Sequence, residues 1–132
     1  MLNIFPDLLT YGFFAPTLLR LAAALMFAVV AYRQWSRRSE IQQTSLLIVG
    51  KNGWWVWISI FAHAALAVLL ALGYYTQIAA LLGMLAAIKH FVFKHRYPEV
   101  FPLSRGTYFL IAVICLSFLL SGAGALAMDL PL

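Results

Sequence analysis

Charge is scarce in this chain, and acid is scarcer still. Charged residues make up 10% of the 132, against about 25% in an average soluble domain. Only four are Asp or Glu, and none lies inside a long apolar run. That removes the intramembrane carboxylate on which proton-coupled small multidrug exporters depend. There is a single cysteine, Cys115, itself within an apolar run. One thiol makes no intrachain disulfide and supports no dithiol exchange. No His/Cys spacing suits zinc or an iron–sulfur cluster, so no metal site and no catalytic constellation is expected. Low-complexity segments and flexible linkers are absent. Residues 1–10 carry no basic n-region and no small-residue cleavage pattern, so a removable signal peptide is not expected.

What is abundant is apolar surface. The chain is 64% hydrophobic with a mean hydropathy of +0.93, more than a soluble fold of this size could bury, so lipid is the expected solvent. Four runs stand out, at about 11–32, 54–72, 76–93 and 106–120. Each is near the ~17–25 residues that cross a bilayer as a helix. The second and third flank Gly73-Tyr74-Tyr75-Thr76, a turn too short and polar to be more membrane. They read as a helical hairpin around which the rest is arranged. The expected fold is all-α: a four-helix integral membrane bundle, one domain over 1–132. Pro16 suits the first turn of the first helix. Leu46 to Val49 is too short to cross and is expected at the interface. Pro98 and Pro102 break the chain between the third and fourth runs.

The net charge of +5 does not point to nucleic acid, because the basic residues lie between the apolar runs. Arg33, Arg37, Arg38 and Lys51 flank the first connection, and Lys89, Lys94, Arg96 and Arg105 the third. By the positive-inside rule both connections are expected in the cytoplasm and both termini outside, in the inner (plasma) membrane. The four tryptophans, Trp35, Trp54, Trp55 and Trp57, would form a belt at the cytoplasmic boundary. Ala79, Gly83 and Ala87 recur at a spacing that permits close helix approach.

Arg20 and His63 fall deep inside their runs. Arg20, in the first, costs about 2.5–3.5 kcal/mol at a bilayer centre and calls for a partner. Asp129 is the better placed of the two acids on its side, since Gly122 and Gly124 let the tail fold back. The expectation is that the Arg20 guanidinium reaches Asp129, with neutral His63 beneath it as a second acceptor. His63 lies nine residues into the second run, about 13 Å deep. It reads either as a core contact or as the lining of a pocket for a quinone headgroup or another small polar group. Arg20, His63 and Asp129 are the candidate ligand-binding residues. A bis-histidine haem is not expected: counted along straight helices, His63 and His90 differ in depth by roughly 9–10 Å. His90 and His95 are expected as interfacial or solvated residues beside Lys94 and Arg96.

These residues resemble the DoxX family of small four-helix membrane proteins. Arg20-Leu21-Ala22-Ala23-Ala24-Leu25-Met26-Phe27 is similar to its R-L-x-x-G-x-x-F, with Ala24 in the glycine position. Gly73-Tyr74-Tyr75-Thr76-Gln77-Ile78-Ala79-Ala80 is similar to G-x-x-T-R-x-A-A, with Gln77 for arginine. Gly122-Ala123-Gly124-Ala125-Leu126-Ala127-Met128-Asp129 is similar to G-A-G-x-x-S-x-D, with Ala127 for serine. Where members often carry a glutamate about ten residues before the turn glycine, this chain has His63. The resemblance implies a membrane subunit linked to redox or sulfur metabolism, as in a thiosulfate:quinone oxidoreductase. The expected role is a non-catalytic subunit in the lipid bilayer that binds a partner membrane or redox protein and a quinone or lipid, with homo-oligomers open. The alternative is a small-molecule transporter or channel. An oxidoreductase acting alone lacks a cysteine pair, a haem pair and a nucleotide motif.

Overall fold

A computed structural model describes residues 6–44, 53–124 and 126–129. The expected interfacial patch, Leu46 to Val49, lies outside the described residues. Among those described, every regular element is helical. A 3-10 helix, Pro6–Phe14, leads into α1, Ala15–Ser36; then come the short α2, Arg38–Gln43, and α3, Trp54–Leu72, α4, Thr76–Phe93, and α5, Arg105–Ser121.

The ends of these helices follow from a few residues. Pro16 sits in the first turn of α1, where a missing N–H is no loss. Ser104 caps α5, its hydroxyl accepting from the Thr107 amide at 3.1 Å. Gly73 ends α3 in the left-handed conformation, φ 65. Its amide donates to Leu70 and that of Tyr74 to Leu69, at 3.2 and 3.0 Å, so two carbonyls left over at the helix end are satisfied.

Three helical stretches are long and apolar enough to cross a membrane: Thr10–Ser36, Trp54–Leu72 and Thr76–Phe93. The fourth, Arg105–Ser121, is apolar but shorter, at 17 residues, about 26 Å of helix. Large apolar side chains such as Leu18, Leu25, Phe61, Ile78 and Leu85 lie exposed on the outside of the bundle. That pattern suits lipid as the surrounding medium.

Packing pairs the helices out of chain order. α1 lies along α3, and α4 along α5, while α3 and α4 touch only slightly despite the tight turn between them. The hairpin legible in the sequence is therefore joined at the turn and parts beyond it. The core includes Phe27, Leu70, Ala79, Ala87, Cys115 and Phe118. Gly83 belongs to it too: an added Cβ would lie 3.1 Å from the Phe27 ring and 3.2 Å from Cys115 Sγ. The small-residue stripe on α4 thus lets α5 pack closely along it and leaves room for the Phe27 ring reaching across from α1.

Candidate functional site

Among the described residues, buried polar groups with candidate roles lie at the turn end of the bundle and around the cleft between α3 and α4. At the turn end Arg20 is buried, 1% exposed. It does not reach Asp129. Nη1 donates to the Ala123 carbonyl at 2.9 Å and Nη2 to that of Leu126 at 3.1 Å. Asp129 does something else. Its carboxylate accepts from the amides of Tyr75 at 2.8 Å and Thr76 at 2.5 Å, capping α4, whose own first residues supply no side-chain cap. A carboxylate there also meets the positive end of the helix dipole. Partial burial opposes its ionisation. The amide donors of Thr76 and Tyr75 outweigh that, Arg20's charge adds to them, and the carboxyl titrates below its ordinary 3.8.

The backbone is shaped around this contact. A Cβ on Gly73 would fall 2.2 Å from Arg20 Nη1, and one on Gly124 2.6 Å from Pro16 Cβ. Leu126, whose carbonyl accepts from Nη2, is itself left-handed, φ 59, a conformation that costs a non-glycine residue about 1–2 kcal/mol. The tail is tied down further by the amides of Met128 and Asp129, which donate to the carbonyls of Leu72 and Gly73 at 3.3 and 2.9 Å.

His63 is elsewhere. Ten residues before Gly73, it lies about 15 Å along α3 from the turn end, and no hydrogen bond joins it to Arg20. Its Nδ1 is 2.5 Å from the Ser59 carbonyl. Its ring stacks on His90, with centroids 4.8 Å apart, and more loosely on Phe27 at 6.1 Å. His90 is therefore not a solvated residue: it is buried, 1% exposed, against Phe101 and Tyr108. The separation counted along straight helices is closed by side-chain direction. Every Cα–Cβ bond tilts toward its helix N-terminus. In the antiparallel α3 and α4 those tilts bring the two rings toward each other.

Where α3 and α4 part, a cavity of about 540 Å³ opens. Trp55, Ser59, His63 and Leu66 line it from α3, Lys89 and Phe93 from α4, with Tyr97 and Phe101 beyond. Lys94 holds that end in place through the carbonyls of Pro98, at 3.0 Å, and Phe101. Ile58 and Leu82, also in the lining, are 56% and 51% exposed, so the cleft opens sideways toward the lipid. Two buried polar atoms of its walls have no hydrogen-bond partner, Trp55 Nε1 and His63 Nε2. Of the three site residues expected from the sequence, only Arg20 and Asp129 come together, through the tail. Trp55, Ser59 and Lys89 were missed; Trp55, Ser59 and His63 fall at four-residue steps on one helix face, which is the signal that would have grouped them.

The profile of the DoxX family matches residues 15–96, well over half of the chain. The chain belongs to the DoxX family. No curated protein and no solved structure matches it. The three stretches by which this chain resembles other DoxX proteins, far apart in sequence, meet at the turn end. Arg20 comes from the first, Gly73 and Thr76 from the second, and the glycine-bearing tail with Asp129 from the third. Position 63 faces the cleft.

Proposed function

We propose that this DoxX protein is a membrane subunit without covalent chemistry of its own, holding a quinone or lipid between α3 and α4. The observation that carries this reading is the unpartnered Nε2 of buried His63 in the wall of an apolar cleft. An apolar pocket of several hundred Å³ with a few polar groups is the usual form of a small-molecule site. Leaving a buried polar atom unmatched costs about 1–3 kcal/mol, which a bound headgroup recovers. The membrane is the inner (plasma) membrane, with the basic connections in the cytoplasm and the termini outside, as the Lys/Arg distribution favours. A partner redox protein would supply the chemistry that the chain lacks. Arg20 and Asp129 serve this role by holding the bundle closed.

Native mass spectrometry of the protein purified in mild detergent tests the reading. A bound amphipath is expected on the wild type and not on Ala62→Trp, which fills the cleft. A wild type free of any such mass, and unable to take one up from added quinone or lipid, overturns it. Orientation is checked by labelling cysteines placed at Gln43 or Tyr74 in a Cys115→Ala background. Position 74, and not 43, should react from outside the cell.

A further inference from the structure

We infer that the cleft takes a single-chain amphipath with a compact anionic head, an alkyl carboxylate, held by the ammonium of Lys89. This rests on the cleft being a binding site and concerns what it binds. Lys89 belongs to the third apolar run and stands four residues before the end of α4, about 6 Å inside it. It lines the cleft, and the protein leaves it exposed. Side chains of a helix lean toward its N-terminus, so the Lys89 stem sets out away from the nearer interface and deeper along the cleft. The chain has no acid to spare for this cation. Of its four acids, Glu40 and Glu99 both pair with Arg37, at 2.8 and 2.5 Å. Asp129 caps α4 at the far end of that helix, and Asp7 lies in the 3-10 helix ahead of α1, at that same far end. No residue lining the cleft is Asp or Glu. Other cations near this end are partnered. Arg33 donates to the Pro102 carbonyl, Lys94 to those of Pro98 and Phe101, and Arg105 lies over the Phe91 ring at 4.6 Å. Among the described residues Lys89 has neither an acceptor nor an aromatic face.

A charge set between apolar walls is costly without its opposite, and the missing charge has to arrive with the ligand. A neutral head with a carbonyl would give Lys89 an acceptor and leave its charge uncompensated. A carboxylate supplies both, and a charge-assisted hydrogen bond is about twice as strong as a neutral one. The neighbours of Lys89 on the same face of α4, Ala86 and Phe93, have no polar side-chain atom for the hydroxyls of a glycerophosphate head, which favours the smaller carboxylate. A cavity of about 540 Å³ is the size of a site for one small molecule, so one chain suits it better than two. Leu82, at the lateral opening, lies seven residues before Lys89 on α4, about 10 Å further into the membrane. Head at Lys89 and tail leaving past Leu82 is the direction in which the lipids of that leaflet already point.

The test uses the whole chain in non-ionic detergent at about pH 8, where a free carboxyl is ionised. Four probes are titrated by calorimetry: dodecanoate, its methyl ester, a lysophosphatidylglycerol of the same chain length, and a decyl quinone. The ester keeps the chain and the carbonyl and lacks only the charge. Dodecanoate should bind at least about 10-fold more tightly than the ester. Lys89→Met, which keeps an unbranched stem, should reduce that preference to within about 2- to 3-fold, and Lys89→Arg should retain it. Arg96→Gln makes the same change of net charge outside the lining and should leave the preference as it is. Ester binding as tightly as dodecanoate, a preference that survives Lys89→Met, or one lost equally in Arg96→Gln overturns the inference while the cleft stands as a site. The lysophospholipid matching dodecanoate overturns the assignment to a carboxylate. The quinone binding alone overturns the inference and leaves the proposed function standing. Failure of all four probes overturns both.

Discussion

The turn end and the cleft contain similar polar material and treat it in opposite ways. At the turn end Arg20 Nη1 and Nη2 and both oxygens of Asp129 are engaged, and Arg20 Nε and Thr76 Oγ1 are left over. In the cleft, His63 Nε2 and Trp55 Nε1 have nothing to bind within the described protein. A matched cluster is spent on holding the fold. An unmatched one has interaction energy in reserve. An intramembrane arginine reads by default as a functional residue, yet here it is the buried histidine, in the wall of the cleft, whose ring nitrogen is left without a partner.

If the turn end is a lock, breaking it should be costly, and Gly73→Ala should cost most. The new Cβ meets Arg20 and Ala127 and requires a left-handed alanine. Strain of about 1–2 kcal/mol adds to the loss of two charge-assisted hydrogen bonds worth about 1.5–3 kcal/mol each. A loss of about 4 kcal/mol in a detergent unfolding titration is expected; a loss under about 1 kcal/mol would show that the guanidinium has another place to go. Arg20→Met should cost less, about 2–3 kcal/mol, because it removes the charge with its bonds and leaves two neutral carbonyls at the bundle mouth.

Asp129→Asn removes a charged cap and should cost about 1 kcal/mol. Its pH dependence has a definite sign. The carboxyl titrates below 3.8 in the folded protein. Its contribution is therefore fully present above that value and is lost as pH falls through the lower, folded pKa. The melting temperature of the wild type should fall more steeply than that of Asp129→Asn between pH 4 and the acid limit of the detergent. Parallel curves would remove Asp129 from the lock. The two residues do not touch, yet both hold one tail. The double variant Arg20→Met/Asp129→Asn should therefore lose about 0.5–1 kcal/mol less than the sum of the single losses. Strict additivity would mean that the tail is held at two independent points.

The smallest effect is expected in the cleft. His63→Phe keeps a flat ring against His90 and Phe27; it gives up the Nδ1 bond to the Ser59 carbonyl of its own helix but also removes the unpartnered Nε2, so stability should change by under about 1 kcal/mol. A loss as large as that of Arg20→Met would erase the contrast between the two regions.

Much of the fold was legible in the sequence, because the apolar runs, the glycine at the turn and the proline at the start of α1 act locally. Arg20's need for partners was legible as well; their identity was not. Every residue carries a carbonyl, so nothing in the letters Ala123 and Leu126 marks them as acceptors, whereas Asp129 advertises its charge. The cleft escaped for a different reason. It arises from α3 pairing with α1 and α4 with α5, and a tight turn between two apolar runs gives no sign of how far they part. His90 was misplaced by counting rise along the helix axis and neglecting the direction in which side chains lean.

Arg20 and its acceptors are 103 and 106 positions apart. At about 5–20 residues per second of synthesis, the first helix is made some 5–20 s before either carbonyl exists. During that interval its guanidinium must be accommodated by water, lipid phosphate or the insertion machinery. Closure of the bundle is thus timed by the arrival of the tail. A chain interrupted shortly before Ala123 would have all of its apolar helices and a buried charge with nothing to hold.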